Sequence, residues 1–463
     1  MTTQHTQYRD SLLAPVMQDL LGDEYSAFRH VMDMPHHSAI RANSLKVSAD
    51  ELRLLIGQNL EPVPWCREAF YIPPDFRAGK SPLYHAGLYY IQEPSAMSAA
   101  EAIGVLPGEY VLDLCAAPGG KSTQLAAKLG GSGLLVCNDI SRSRLKALVK
   151  NLELAGVQNA AVTCEEPRRL TRAFPQFFNK ILIDAPCSGE GMFRKDKDVV
   201  KAYSPQKIES FARQSVDILR SAALMLAPGG QILFSTCTFN KTENEDVVEE
   251  FLADHTDFHS IEINMPGSGG FSQGFGKYGS SFRRLFPHKI RGEGHFLALL
   301  RQDGRSGTYA NTQHAPSSFK NVPRGLLAAF RGFISETLYT DPFNTETLRV
   351  MGDTLYNLPH SLPNLDGIRL VKTGLRLGEF HQTRFEPSQA LAMALTQRDA
   401  QRYISFGHTS AEAIKYLKGD TLELPSNHQD GWTLVNTEGH PLGWGKALRG
   451  TLKNKYNRNW LME

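Results

Sequence analysis

Between residues 110 and 301 the chain alternates short apolar runs with longer amphipathic ones. The apolar, β-branched runs predict strands at 110–115, 133–139, 160–164, 180–186, 231–238, 258–263 and 295–301. Helical spacing fills the gaps at 122–129, 142–155 and 205–227. In the last of these, Ile208, Phe211, Ser215, Ile218, Leu219, Ala222 and Leu226 recur on one face, and Pro228-Gly229-Gly230 ends the pattern. Strands alternating with helices predict an α/β fold with a mostly parallel, doubly wound, seven-stranded sheet. Between the last two strands lie Gly267, Gly269, Gly270, Gly274, Gly276 and Gly279, which reads as a mobile lid or a plain flexible loop.

The flanks follow different patterns. Residues up to about 35 read as helical, with apolar positions at Leu12, Leu13, Val16, Leu20 and Leu21. Arg41 to Lys46 form a short strand pattern with basic side chains, suited to phosphate contact or to a solvated edge. Residues 47–92 read as a small α/β unit punctuated by prolines, and Gln92 to Met97 lead into a helix ending near Ile103. After 301 the chain turns polar, and Pro316 and Pro323 mark a linker over 302–324. Residues 325–357 read as largely helical, and 365–385 as strands with a turn near Thr373-Gly374. A short helix, Ser410 to Leu417, precedes further strands and turns up to residue 463. The expected division is an accessory domain over 1–92, a core over 93–301, the linker, an intermediate domain over 325–400 and a final domain over 401–463.

Composition narrows the class. The 463 residues are 41% hydrophobic and 21% charged, as in globular proteins, and too many for one core. No apolar run reaches the roughly 18 residues of a membrane span, so no membrane association is expected. Six cysteines without a C-x-x-C pair fit neither a disulfide framework nor a zinc site; they imply a reducing, cytoplasmic setting and no metal. A net charge of +2 carries no case for nucleic acid, which must rest on local patches. One such patch is Lys446, Arg449, Lys453, Lys455 and Arg458, opposed only by Glu463 and interleaved with Trp444, Tyr456 and Trp460. Phosphate contact plus base stacking would suit RNA; a solvated tail is the plainer reading.

The chemistry centres on Val111 to Thr123, VLDLCAAPGGKST. A buried strand runs into Pro-Gly-Gly and then a helix, the way an open α/β sheet builds a ligand crevice. Gly120-Lys121-Ser122 mimics the end of a phosphate loop, but that motif needs glycine where Cys115 stands. A nucleoside cofactor is favoured by Asp139, which ends the next strand where ribose hydroxyls are bound. An ordinary strand-to-helix turn is the third reading. Cys187, in Asp184-Ala185-Pro186-Cys187, and Cys237, in Ser235-Thr236-Cys237, end two further strands and would face the same crevice, unless they simply pack as small apolar residues. Such a pair suits methylation of carbon 5 of cytosine. A thiolate adds at carbon 6, a donor near N3 assists, and a second group enables release. Cys237, Asp184 and Cys187 are the respective candidates.

These stretches resemble the RsmB/RsmF (Sun) family of RNA 5-cytosine methyltransferases. The likeness lies in Arg41-Ala42-Asn43-Ser44-Leu45-Lys46, Gln92 to Met97, Asp113 to Thr123, Asp184 to Lys195, Ser235 to Thr238, Pro287-His288 and Gly292 to Phe296. A leading segment and an extension resembling a PUA-type module around Tyr416-Leu417-Lys418-Gly419 are similar to its RsmF subgroup. The resemblance implies a class I methyltransferase core and S-adenosylmethionine held by Cys115, Ala116, Ala117, Pro118, Gly119, Gly120 and Lys121. Asp139 would bind the ribose, and Glu166 or, alternatively, Glu165 would lie near the adenine. Asp184 would lie near the methyl group and the base, Cys237 would be the nucleophile and Cys187 the release group. Arg41, Phe193, Arg194 and Lys195, with Lys446, Arg449, Lys453 and Lys455, would meet RNA. The implied substrate is 16S rRNA, within the small ribosomal subunit; transfer RNA, or a role as a non-catalytic assembly factor, are the alternatives.

Overall fold

The computed structural model describes residues 3–304, 315–382 and 384–462, with side chains described from Arg9 onward. Part of the expected linker, 305–314, lies outside the described residues. After the helices Thr3–Leu21 and Tyr25–Met32 comes a four-stranded sheet of β1 (Ser38–Ala42), β2 (Pro62–Val63), β3 (Cys66–Ile72) and β4 (Tyr89–Gln92), in the order β2-β3-β1-β4. The strand carrying Arg41 is therefore interior, paired on both sides, and not the solvated edge expected above.

The core sheet is built from β5 (Tyr110–Asp113), β6 (Leu134–Asn138), β7 (Ala160–Thr163), β8 (Phe178–Asp184) and β9 (Leu226–Thr236), which run parallel in the order β9-β8-β5-β6-β7. β10 (Phe258–Ile261), β11 (Ser272–Gln273) and β12 (Arg283–Leu285) follow, and β13 (His295–Gln302) pairs antiparallel with β9. β10 and β12 share the other edge of β13, one at each end. The middle of each central strand is apolar because both faces are covered. Val111, Leu135, Val162 and Leu182 pack into one layer, and Leu112, Val136, Ala161 and Ile183 into the other, as period-two alternation requires.

The carboxy-terminal part departs from expectation. After β14 (Lys320–Asn321), helix ends at Thr337, and β15 (Leu348–Met351) and β16 (Thr354–Asn357) replace the expected helical continuation. β14 lies inside the segment read as a linker, yet pairs with β15. The next two strands go to different sheets. β17 (Leu370–Thr373) joins the core sheet antiparallel to β7, making it ten-stranded. β18 (Leu375–His381) and β19 (Arg384–Pro387) complete a sheet ordered β14-β15-β16-β18-β19. Gly374 makes the switch: its φ is +56°, and a Cβ there would sit 2.1 Å from the Asn357 carbonyl oxygen.

The last sheet holds β20 (Tyr403–Phe406), β21 (Leu422–Glu423), β22 (Gly431–Thr437), β23 (His440–Leu448) and β24 (Thr451–Asn454). Its side chains Leu417, Val435, Leu442, Tyr456 and Trp460 share a core with Ile40, Leu52, Phe70 and Leu88 of the first domain. The chain thus folds back on itself. The glycine-rich loop is packed down and does not hang as a lid: a Cβ on Gly267 would lie 1.8 Å from the Pro64 carbonyl oxygen. The Phe275 and Lys277 amides donate to Glu245 and Glu249 at 3.1 and 2.7 Å.

Candidate active site

β5 ends at Asp113, and the loop 114–119 crosses the carboxyl edge of the sheet before the helix Gly120–Leu129 begins. The Leu114 amide donates to Leu182 on one side and the Ala116 amide to Asn138 on the other, so the loop sits astride the opening between β8 and β6. Ala117–Pro118 is a cis peptide bond. The helix Arg142–Leu154 holds the loop from outside, through Arg144 to the Ala117 carbonyl and Asn151 to the Pro118 carbonyl. Gly119, at φ +110°, comes so close to it that a Cβ would lie 2.9 Å from Leu148 Cδ1. Cys115 and Gly120 to Thr123 complete the run; Ser122 Oγ donates to Asp113 Oδ2 at 2.6 Å. Burial pushes the Asp113 carboxyl up to about 7, and its Oδ1 has no partner among the described residues.

Asp139 stands just past β6, buried, and accepts from the Ala117 and Ser141 amides at 3.2 and 2.8 Å. The Ile140 side chain beside it is 60% exposed. An apolar side chain facing open space, an acid beside it and an unsatisfied buried carboxylate oxygen suit a ligand with an aromatic base, a diol and a cationic group. The site therefore fits S-adenosylmethionine. Glu166 is exposed and lines the same cleft as Ile140 and Pro167. Glu165 is buried and turned away, with its carboxylate on the Arg369 amide at 2.8 Å and 3.4 Å from Arg169.

The ends of β8 and β9 bring the reactive groups together. Asp184 Oδ2 lies 2.7 Å from Lys121 Nζ, and its Oδ1 accepts from Ser235 Oγ at 3.0 Å. Buried His295 presents Nε2 to the same oxygen at 3.7 Å, and that nitrogen has no hydrogen bond among the described residues. Burial alone would push the Asp184 carboxyl up. The Lys121 ammonium and His295 overcome it and hold the carboxyl well below the usual carboxylate range. Asp184 is therefore held as an acceptor by Lys121 and Ser235. Asp184 in turn stabilises the Lys121 ammonium against burial.

Cys187 Sγ and Cys237 Sγ are 3.5 Å apart. Their hydrogen bond, with burial second, pushes the Cys187 thiol well above its usual range, so Cys187 keeps its proton. The two segments are tied together by Gly191 N donating to the Cys237 carbonyl at 2.9 Å, and by the packing of Gly191 against Gly294. Glu190 accepts from Thr238 Oγ1 and the Phe239 and Asn240 amides at 2.7, 2.8 and 2.9 Å. Glu243 accepts from the Ser188 amide at 2.8 Å. Sequence reasoning gave neither glutamate a role. Glu190 lay in a quoted motif, but nothing local marks a carboxylate that braces a loop 48 residues away.

Family models match the chain from near its start almost to its end. Residues 101–301 match 16S rRNA methyltransferase RsmB/F, and residues 13–94 the N-terminal domain of 16S rRNA methyltransferase RsmF. Residues 332–395 match the RsmF first C-terminal domain, and 394–462 the methyltransferase RsmF PUA domain. Ribosomal RNA small subunit methyltransferase F of Klebsiella pneumoniae is 34% identical over 439 residues, covering 92% of this chain and 90% of that protein. The chain belongs to the RsmB/F family of 16S rRNA methyltransferases. Members of this family are S-adenosylmethionine-dependent enzymes acting on ribosomal RNA. The relative from Shewanella loihica is 33% identical over 92% of this chain and 89% of its own length. A solved methyltransferase homologue from Pyrococcus horikoshii superposes with a TM-score of 0.56 at 26% identity, over 65% of this chain and all of that one.

Among the residues expected to meet RNA in this RsmB/F protein, several turn inward. Arg41 is only 4% exposed. Its guanidinium donates to Thr123 Oγ1 and Gln124 Oε1 at 2.9 and 3.1 Å and to Gln92, locking the first domain onto the helix that follows the glycine turn. Arg194, also buried, is paired with Glu293 at 2.6 Å and donates to the Gly292 carbonyl at 2.9 Å. Phe193 is fully buried against Tyr203. All three are corrected to structural positions. Lys195, Lys446, Arg449, Lys453 and Lys455 are exposed, as phosphate contacts require. Trp444, Tyr456 and Trp460 are buried core residues, so base stacking on them is ruled out. Among the described residues no helix is long and apolar enough to cross a membrane.

Proposed function

We propose that the protein methylates carbon 5 of cytosine in 16S ribosomal RNA, with Cys237 as covalent nucleophile and Cys187 as the release group. The observation that carries this reading is the pair of thiols 3.5 Å apart, at adjoining strand ends beside the Lys121–Asp184 ion pair. A cytosine swung out of its stack would enter this crevice, as base-modifying enzymes require. Asp184, held ionised, accepts from the exocyclic amine, a group that uracil lacks. Lys121 donates to the ring edge on which negative charge develops as sulfur adds, the stabilisation worth most in a buried site.

Cys237 thiolate bonds to carbon 6 and the displaced electron pair makes carbon 5 nucleophilic. Residues 115–121, Asp139 and Glu166 would hold S-adenosylmethionine, which would supply an electrophilic methyl group for that carbon. The proton on carbon 5 must then leave so that the double bond re-forms and expels the Cys237 sulfur. Cys187 suits this step for a stated reason. What raises it most is its hydrogen bond to Cys237. Once Cys237 is a neutral thioether, that hold is gone; partly exposed Cys187 then passes its own proton to solvent and, as the thiolate, accepts the one from carbon 5.

Tritiated S-adenosylmethionine offered with unmethylated 16S RNA, small ribosomal subunits and transfer RNA tests the reading. Label recovered as 5-methylcytosine from 16S RNA, free or in the subunit, is the expected result. Label in transfer RNA alone would keep the chemistry and overturn the substrate; label at another atom would overturn the chemistry.

A further inference from the structure

The burial of Arg41 and Arg194 leaves open where the RNA strand is gripped near the cofactor edge. We propose that a basic groove between the helix Arg142–Leu154, β17 and the carboxy-terminal turn around Trp460 binds the phosphate backbone of the RNA flanking the target cytosine. This rests on the RNA-methylating reading above and adds to it a surface that the sequence did not single out.

The groove is lined by Arg142, Lys146 and Lys150 on one wall and Arg369 on the other, with Val371 and Trp460 between them. The three helical cations are four residues apart, so they share one face of the helix. At 1.5 Å rise per residue each step is about 6 Å, close to the spacing of successive phosphates along one polynucleotide strand. The opposite face of the same helix carries Arg144 and Asn151, which hold the cofactor loop. One helix therefore separates the cofactor from the groove. The groove opens where β6 and β7 end, since Arg142 follows Asp139 by three residues and Cys164 lines the wall.

What marks these cations is that they lie together without acidic partners. Arg142, Lys146 and Arg369 are exposed, and none makes a side-chain hydrogen bond or ion pair among the described residues. Lys150 has only the Trp460 ring, 5.8 Å away. Unpartnered exposed arginines occur elsewhere too, Arg67, Arg168 and Arg172 among them, but here four cations line one groove. The acids near the groove do not neutralise it. Glu165 is taken up by the Arg369 amide and Arg169, and Glu153, which lines the groove, has Lys372 and Arg376 as charged neighbours of its own. Three exposed cations without acidic partners, and Lys150 beside Trp460, along one groove favour a linear polyanion over a compact acidic ligand.

The test uses the full chain with the substitutions Arg142→Gln, Lys146→Gln and Arg369→Gln combined. Binding of an unmethylated 16S RNA transcript is titrated from 50 to 200 mM salt, with S-adenosylmethionine affinity measured alongside as the check on folding. Each lost phosphate contact lowers the slope of log affinity against log salt by about 0.7–0.9. The triple variant should therefore lose a slope of about two and bind roughly 10- to 100-fold more weakly at 100 mM salt, with cofactor affinity unchanged. An unchanged slope overturns the groove. So does weakened binding to intact small subunits with the naked-RNA slope unchanged, which would point to an acidic protein partner. If the unsubstituted protein fails to methylate RNA at all, it is the functional reading that falls.

Discussion

The crevice at the ends of β8 and β9 and the basic stretch at the end of the chain make opposite use of charge. In the crevice, Lys121, Ser235 and His295 converge on the Asp184 carboxylate, and burial strengthens the contacts. At the end of the chain Lys446 and Lys455 lie on the surface, 5.7 Å from the Trp432 ring, and Lys455 also reaches Glu386 at 2.8 Å. Their neighbours Trp444 and Trp460 serve the core. The difference teaches that a cation's role follows from what faces it. A buried one is committed to its partner, whereas an exposed one is free for a ligand.

Substitutions from the two regions should separate by size. Cys237→Ala is expected to lower the methyl-transfer rate at least about 10⁴-fold, or ~5.5 kcal/mol, in a single-turnover tritium assay; near-normal turnover would remove the covalent step. Arg194→Ala strands Glu293 in the core and should cost about 3–5 kcal/mol of stability, read as a lower denaturant midpoint. Were Arg194 an RNA contact instead, RNA affinity would fall and the midpoint would stay.

Lys121→Met should lower kcat about 10²–10³-fold and also change the pH profile. With Lys121 present the Asp184 carboxyl is held down, so it stays ionised well into acid. Without it burial wins and the carboxyl rises, so activity should fall away with acid at a pH where the parent still works. A profile of kcat/KM from pH 5.5 to 8 that merely scales down would refute this. His295→Phe removes a weaker donor and should cost about tenfold in kcat, ~1.4 kcal/mol, with His295→Gln recovering most of it. Smallest of all, Lys453→Gln should change stability by under about 0.5 kcal/mol and appear only in the salt dependence of RNA binding.

Much of the core was legible because its signals are local. Continuous apolar runs such as Leu134 to Cys137 could only be strands covered on both faces. The run from Asp113 to Gly120 carries its turn in its own residues. Asp184, Cys187 and Cys237 were found because strand ends share one edge of an open sheet. Several of the misreadings involve a distant partner. Arg41 looked like a surface cation until Thr123 and Gln124, more than 80 residues on, closed over it. β17 reads like its neighbour β18, yet pairs with β7 some 200 residues earlier, across a turn only glycine allows.

By itself the sequence determined the order of strands and helices in the core, the glycine turn and the two thiols, because these depend on side-chain size, branching and backbone freedom within a few residues. Only the tertiary structure decided which charges are buried with a partner and which stay open. It set the ionised Asp184 against Lys121, kept the proton on Cys187, sank Arg41 and Arg194, and left Arg142, Lys146 and Arg369 unpaired. The reason is physical. An ionisable group's behaviour is the balance of desolvation against nearby opposite charge, and both terms depend on what the rest of the chain brings alongside.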